Sequence, residues 1–282
     1  TEAQRKRADA DYDYFVRTYF PHYVRSQHKS ELHRYLFTRL PEIVASAKSE
    51  TDAIAAPRGE AKSTLVSQIF TLWTLVTGRK HYALIVMDSY DQAAVMLEAI
   101  KAEFEANPRL QQDFPKACGQ GRIWQQGVIV TANGAKVQAA GSGKRLRGLR
   151  HGPYRPDLVV LDDLENDENV RSPEQRDKLE SWLARSVLSL GAADDSMDVV
   201  LIGTILHYDS LLSRLLRNRL WCGRTFRRRC CWRASPARGG YADGARRSRR
   251  GSPARRRGRR ATGAGGRRRG RGSRRAGAGR GP

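Results

Sequence analysis

Ala56-Pro57-Arg58-Gly59-Glu60-Ala61-Lys62-Ser63-Thr64 follows a short apolar segment, 52–56, and precedes a long apolar run. Its spacing is that of a phosphate-binding loop, G-x-x-x-x-G-K-[ST]. In such a loop backbone N–H groups surround the phosphates, the lysine reaches their oxygens and the hydroxyl meets Mg²⁺. Alanine stands at both framing positions, Ala56 and Ala61, while the Lys62-Ser63 pair is intact. Gly59 still allows close approach of backbone to phosphate. A positive φ at Ala61 would cost more than at a glycine. Further along, Leu158-Val159-Val160-Leu161 runs into Asp162-Asp163, an apolar strand ending in paired carboxylates. One part holds phosphates and the other holds metal and orients water, so the pair points to nucleoside-triphosphate hydrolysis.

Around these motifs the chain alternates strand and helix signals. Residues 8–48 read as mostly helical, with apolar side chains at helical intervals broken at Pro21. Ser63–Thr77 predicts an apolar helix stopped by Gly78. Tyr82–Met87 is a buried parallel strand, followed by a helix over Tyr90–Ala106. Gly127–Ala140 holds two β-rich runs joined through Asn133-Gly134, a hairpin signal. Gly141–Gly148 is expected to be a mobile basic loop. A strand over 157–161, a helix over 173–188, a strand over 198–202 ending in Gly203-Thr204, and a short helix over 207–216 complete the pattern. The expected fold is therefore α/β, a mostly parallel sheet flanked by helices, as in P-loop NTPases. All three chemical segments, 56–64, 162–165 and 203–204, fall at the carboxyl ends of strands, where such sheets bind ligands.

Lys62 is expected on the β/γ-phosphates and Ser63 on Mg²⁺, with Thr64 the alternative hydroxyl. Arg58 suits a γ-phosphate, since a guanidinium matches phosphate geometry. Asp162 is the candidate metal carboxylate, and Asp163 or Glu165 the group that polarises water. Neighbouring strand residues face opposite ways, so Asp162 and Asp163 share a site only if the strand ends between them. Thr204 is placed to sense a γ-phosphate. Lys144, Arg145, Arg147 and Arg150 cluster before the acidic strand, either as contacts to a DNA backbone or as the source of an arginine finger, for which Arg147 is the choice.

The formal charge of +23 is misleading as an average. Residues 1–216 hold 28 Lys+Arg and 28 Asp+Glu, so the excess lies in 217–282, where every basic residue is arginine and Asp243 is the one acid. That segment, rich in Arg, Gly, Ala, Ser and Pro, cannot bury enough apolar surface to offset chain entropy and is expected to be disordered. Its lack of lysine and its abrupt start fit a shifted reading frame in a GC-rich gene, the alternative being a functional arginine-rich tail. Of the four cysteines Cys118 alone lies in the body, with no metal or disulfide spacing. The polar N-terminus is unlike a secretory signal and no apolar run approaches a membrane span, so a cytoplasmic protein is expected.

The motifs in order, Ala56–Thr64, Leu146-Arg147-Gly148, Arg155–Asp167 and Ile202–Leu212, resemble the ATPase domain of phage terminase large subunits. The resemblance covers roughly residues 25–216. It implies an ATP- and Mg²⁺-dependent motor that translocates double-stranded DNA into a procapsid, with 1–50 a helical segment packed near the adenine, 51–216 the ATPase domain and 217–282 the tail. Arg58, Gly59, Ala61, Lys62, Ser63, Thr64, Gly203 and Thr204 would hold the nucleotide, Ser63 and Asp162 the metal. Asp163, Glu165, Arg58 and Arg147 would act in catalysis. Implied partners are a terminase small subunit, a portal protein and further copies in a ring. The nuclease domain of that family needs several clustered carboxylates, which 217–282 lacks, so cleavage of DNA is not expected. The rival readings are another DNA-dependent or helicase-like ATPase and a non-enzymatic arginine-rich nucleic-acid binder.

Overall fold

The computed structural model describes residues 2–24, 28–192 and 196–227. Beyond residue 227 the Arg/Gly-rich segment, with its expected disorder, lies outside the described residues. Eight strands form one sheet. They are β1 (Thr51–Ala55), β2 (Tyr82–Met87), β3 (Gln120–Gln125), β4 (Val128–Thr131), β5 (Lys136–Gly141), β6 (Leu158–Asp162), β7 (Asp198–Gly203) and β8 (Cys222–Thr225). Across the sheet the order is β3-β4-β5-β2-β6-β7-β1-β8. From β5 to β8 every neighbouring pair is parallel, while β3 and β4 form an antiparallel extension onto β5.

The central strands are apolar throughout because both their faces are covered. Leu158 and Val160 of β6 join Ile54, Ile85, Val200 and Ile202 in a core on one face. Val159 and Leu161 join Ala55, Val86, Val199 and Leu201 in a second core on the other. Burying each such aliphatic side chain is worth about 1.5–3 kcal/mol, so these two layers dominate the stability of the sheet.

The first face carries α1 (Glu2–Ala10), α2 (Tyr12–Tyr19), α3 (Glu31–Ala45) and the helix that leaves the loop. That helix opens at Lys62, is wound as a π-helix over Thr64–Phe70, and becomes α4 (Thr71–Val76) before Gly78 turns the chain at φ 70°. The N-terminal helices are bound to it by an aromatic cluster, Tyr12 with Phe37, Phe70 and Trp73. The Tyr12 hydroxyl also donates to the Leu65 carbonyl, and Trp73 Nε1 to the Ala8 carbonyl at 2.9 Å. α5 (Tyr90–Ala106), capped by Ser89, covers the same face, and α6 (Pro108–Asp113) follows it. The second face carries α7 (Pro173–Trp182), a π-helical turn over Leu183–Val187, and α8 (Leu211–Leu215). Among the described residues no helix is long and apolar enough to cross a membrane.

The structure corrects the sequence reading in three places. The fold does not stop at residue 216: β8 lies parallel to β1, the Phe226 N–H donates to the Ala55 carbonyl at 2.8 Å, and Trp221 and Phe226 are buried on either side of it. All four β8 residues are exposed, so backbone pairing and the two flanking aromatics hold an edge strand that has no apolar alternation. β3 was not anticipated, because its side chains are mostly exposed and it contains Gly121. The Gly141–Gly148 loop is not free. Leu146 is buried in the second core, the Ser142 hydroxyl donates to the Asp88 carbonyl, and Trp182 Nε1 donates to the Lys144 carbonyl at 2.7 Å.

Candidate active site

The ends of β1, β6 and β7 meet at one rim of the sheet, with Ala55 opposite Gly203 and Asp162 opposite Ile202. From Ala55 the chain enters the loop, and the Ala56 N–H donates to the Gly203 carbonyl at 2.9 Å. Two residues then take left-handed backbone, Gly59 at φ 85° and Ala61 at φ 53°. These reversals fold the loop back so that a helix starts at Lys62. Ala61 pays a steric cost in that conformation, since its Cβ crowds the backbone. His33 Nε2, from α3, lies 3.0 Å from the Glu60 carbonyl and buttresses the loop from the N-terminal helices.

Lys62 is buried, and its Nζ donates to Asp163 Oδ2 at 2.8 Å. Asp162 is fully buried on the face that carries the loop helix, and its Oδ2 accepts the Ser67 hydroxyl at 2.7 Å. Its other oxygen, Oδ1, is buried with no hydrogen-bond partner. Burial pushes the Asp162 carboxyl above the usual carboxylate range, and the Ser67 and Ser63 hydroxyls pull it part of the way back. β6 ends at Asp162 because Asp163 turns to φ 43°. That turn is what lets consecutive acids reach one site instead of opposite faces of the sheet.

Asp163 is held from β7 as well. Its Oδ1 accepts the Thr204 N–H at 3.1 Å, and its own N–H donates to the Ile202 carbonyl at 3.0 Å. Gly203 makes the approach possible, since a Cβ there would lie 3.3 Å from Asp163 Oδ1. The Thr204 hydroxyl donates to the Ala56 carbonyl at 3.2 Å. Gly203-Thr204 therefore links the acidic turn to the first residue of the loop.

Lys62, Ser63, Asp162, Asp163, Gly203 and Thr204 thus belong to one cluster. Other candidates stand outside it. Arg58 is 72% exposed and lies 3.9 Å from the equally exposed Asp167. Glu165 gives its two oxygens to the N-terminus of α8, accepting from Leu211 N–H at 2.7 Å and Leu212 N–H at 3.4 Å. Burial raises its pKa, opposed by those N–H groups and by Arg176 and Arg214. Arg147 is exposed on a cavity that Glu165 also lines. Thr64 opens the π-helical stretch, beside a small pocket. The residue missed from sequence is Ser67. Its signal was a lone hydroxyl one helical turn beyond Ser63, on the same face of an apolar run.

Asp162 Oδ1 and the Ser63 hydroxyl are the donors suited to a hard cation at this cluster. Among the described residues no group of three or more His, Cys, Asp or Glu is placed to hold a metal. One carboxylate with a hydroxyl suits Mg²⁺, which keeps waters and takes phosphate oxygens in preference to a full protein cage. The buried, unpartnered Oδ1 fits that requirement.

The fold and site thus define an α/β protein whose mostly parallel sheet gathers a lysine, two acids and hydroxyls at one rim. No protein-family model matches the chain, and no curated protein matches it. The functional reading rests on the geometry of the site.

Proposed function

We propose that the chain is a P-loop nucleoside-triphosphate hydrolase and, more particularly, the ATPase domain of a terminase-like motor that moves double-stranded DNA. The observation that carries the reading is the 2.8 Å contact of Lys62 with Asp163, beside a buried Asp162, at the mouth of a loop doubled back by Gly59 and Ala61.

In this reading the substrate is ATP. The loop N–H groups cradle its phosphates, and Lys62 exchanges Asp163 for phosphate oxygens. The Asp163 carboxylate, released from the lysine, then accepts a hydrogen bond from the attacking water and orients it toward the γ-phosphate. Ser63 and Asp162 hold Mg²⁺, which when bound neutralises charge on the phosphates. Thr204, bonded to both Asp163 and the loop, transmits the change in Asp163 to the strand β7. A pocket of about 110 Å³ lined by Tyr23, His33, Phe37, Ala61 and Thr64 adjoins the loop and suits the adenine. Arg147 supplies the transition-state cation to a neighbouring copy in a ring. The small subunit and portal are the partners expected of such a motor.

The test is turnover of ATP by purified chain, with and without duplex DNA. Lys62→Ala is expected to abolish turnover, and DNA is expected to stimulate the wild type without strand separation. Undiminished turnover by Lys62→Ala would remove this cluster as the site. Strand separation would favour a helicase-like enzyme over a packaging motor.

A further inference from the structure

α7 sorts its charges by face. Asp177 and Glu180 turn to Arg214, at 2.7 and 2.6 Å. Arg176 is buried against Asp209 at 3.2 Å and donates to the Val170 carbonyl at 2.7 Å. Lys178 and, on the following π-helical turn, Arg185 line a cavity of about 540 Å³, which the paired Arg176 also touches. Lys144 and Arg147 line the opposite wall, from the loop pinned by Trp182.

These four cations have no carboxylate within ion-pair distance among the described residues. Unpaired cations occur elsewhere on the surface, Arg145 and Arg150 among them; what sets these four apart is that they line one concavity. The one carboxylate on the lining, Glu165, is committed to the backbone of α8. Four like charges around one concavity repel each other, and an anion inside it recovers that cost. The floor is apolar, formed by Leu164, Leu179 and Trp182. The indole N–H is already spent on the Lys144 carbonyl and Trp182 is largely buried, so the floor offers apolar surface and no free donor.

We propose that this cavity is a second ligand site, distinct from the Lys62 cluster, for a nucleoside phosphate. The base lies over the apolar floor, and the phosphates are held by Lys144, Lys178 and Arg185, with Arg147 left for the neighbouring copy. An open cleft of this volume suits a small molecule rather than a duplex. Glu165 also lines the small pocket at Asp163, Gly203 and Thr204, so the two sites share a wall. The assignment does not depend on hydrolysis at Lys62.

The test is calorimetric titration of the full chain with ADP at about 0.3 M salt, which screens loose ion pairing. Lys62→Ala is expected to retain about one equivalent of ADP at this cavity. Adding Lys178→Gln and Arg185→Gln to it should weaken that binding by roughly tenfold or more, the loss of charge-assisted contacts. Both substituted residues are exposed and unpaired, so the fold should survive. If Lys62→Ala does not fold, the double variant alone serves. Its stoichiometry falls from two to one if the loop also binds nucleotide, and from one to none if it does not. The proposal is overturned if ADP does not bind Lys62→Ala, if the double substitution leaves affinity and stoichiometry unchanged, or if duplex DNA displaces the ADP that Lys62→Ala retains.

Discussion

The two ends of the sheet are built to different rules. At the amino ends of the strands every buried charge is closed off. Lys80 Nζ contacts Asp198 at 2.8 Å and donates to the Ser196 carbonyl at 3.0 Å, while the other Asp198 oxygen accepts the Glu50 N–H at 2.9 Å. Asp157 accepts the N–H groups of His81 and Tyr82 at 2.7 and 2.8 Å. Arg39 clasps both oxygens of buried Asp52 at 2.9 Å each. At the carboxyl ends Asp162 keeps an unpartnered oxygen, and Ala61 and Asp163 are the two non-glycine residues with positive φ among the described residues. At the amino end the buried carboxylates are paired, and the unmet group is the Arg79 Nε; left-handed strain and an unpartnered buried carboxylate oxygen sit at the other end. Such features persist where the surroundings over-determine them and a ligand completes them.

The largest effect that tests this contrast comes from its two buried lysines. Lys80→Met strands Asp198 in the interior without a counter-charge, and is expected to cost about 3–5 kcal/mol of folding free energy. Lys62→Met removes a contact of similar length, yet the Asp163 side chain is 41% exposed and water can take the place of the lysine. The expected loss there is below about 1 kcal/mol. Urea unfolding of the two variants measures both. Equal losses would mean that the rim cluster is structural, like the ion pairs at the opposite end.

A smaller effect, with a definite sign, belongs to Asp162. Its folded pKa is raised above the unfolded value of 3.8, with burial the leading cause. Below that value the carboxyl is protonated in both states and contributes no pH dependence. As pH rises toward the folded pKa, the unfolded state releases its proton first and stability falls; above the folded pKa the loss is complete. Asp162→Asn carries no such penalty. Its stability relative to wild type is expected to grow with pH across that window and then level off, as read from urea midpoints between about pH 4 and about pH 8. A difference that stays flat with pH would show that Asp162 is satisfied as an ion, and the contrast between the ends would weaken.

What was legible in sequence follows the same physics. β2, β6 and β7 were readable because burial on both faces demands uninterrupted apolar runs. The loop and the paired acids were readable because phosphate chemistry demands those residue types. β8 was hidden because its four residues face solvent and it is held by backbone pairing to β1 and by the aromatics that flank it. β3 was hidden by Gly121, which lets backbone pass where a Cβ would sit 2.6 Å from the Val130 carbonyl. Glu165 had the residue type of a water-orienting acid, but its oxygens go to the α8 backbone, a partnership 46 residues away that no local pattern encodes. Whether Asp162 and Asp163 share a site turned on one backbone dihedral, and nothing in Leu-Asp-Asp-Leu dictates a left-handed turn. That turn is held by Ile202, Gly203 and Thr204 from the neighbouring strand.

The smallest effect isolates the strain itself. Ala61 stands where the loop needs left-handed backbone, and an alanine there bears a cost of about 1–2 kcal/mol that a glycine does not. Ala61→Gly also loosens the unfolded chain, which takes back roughly 0.5–1 kcal/mol. The net expectation is a gain of about 0.5–1 kcal/mol. The strand itself supplies the control: Ala53→Gly, in the middle of β1 and fully buried, has no strain to relieve and should lose stability instead. Opposite signs for the same substitution within the strand and in the loop that follows it would locate the strain in the loop. Two losses would mean that Ala61 sits in ordinary backbone, and that the doubled-back path which brings Lys62 to Asp163 is not the one the chain takes.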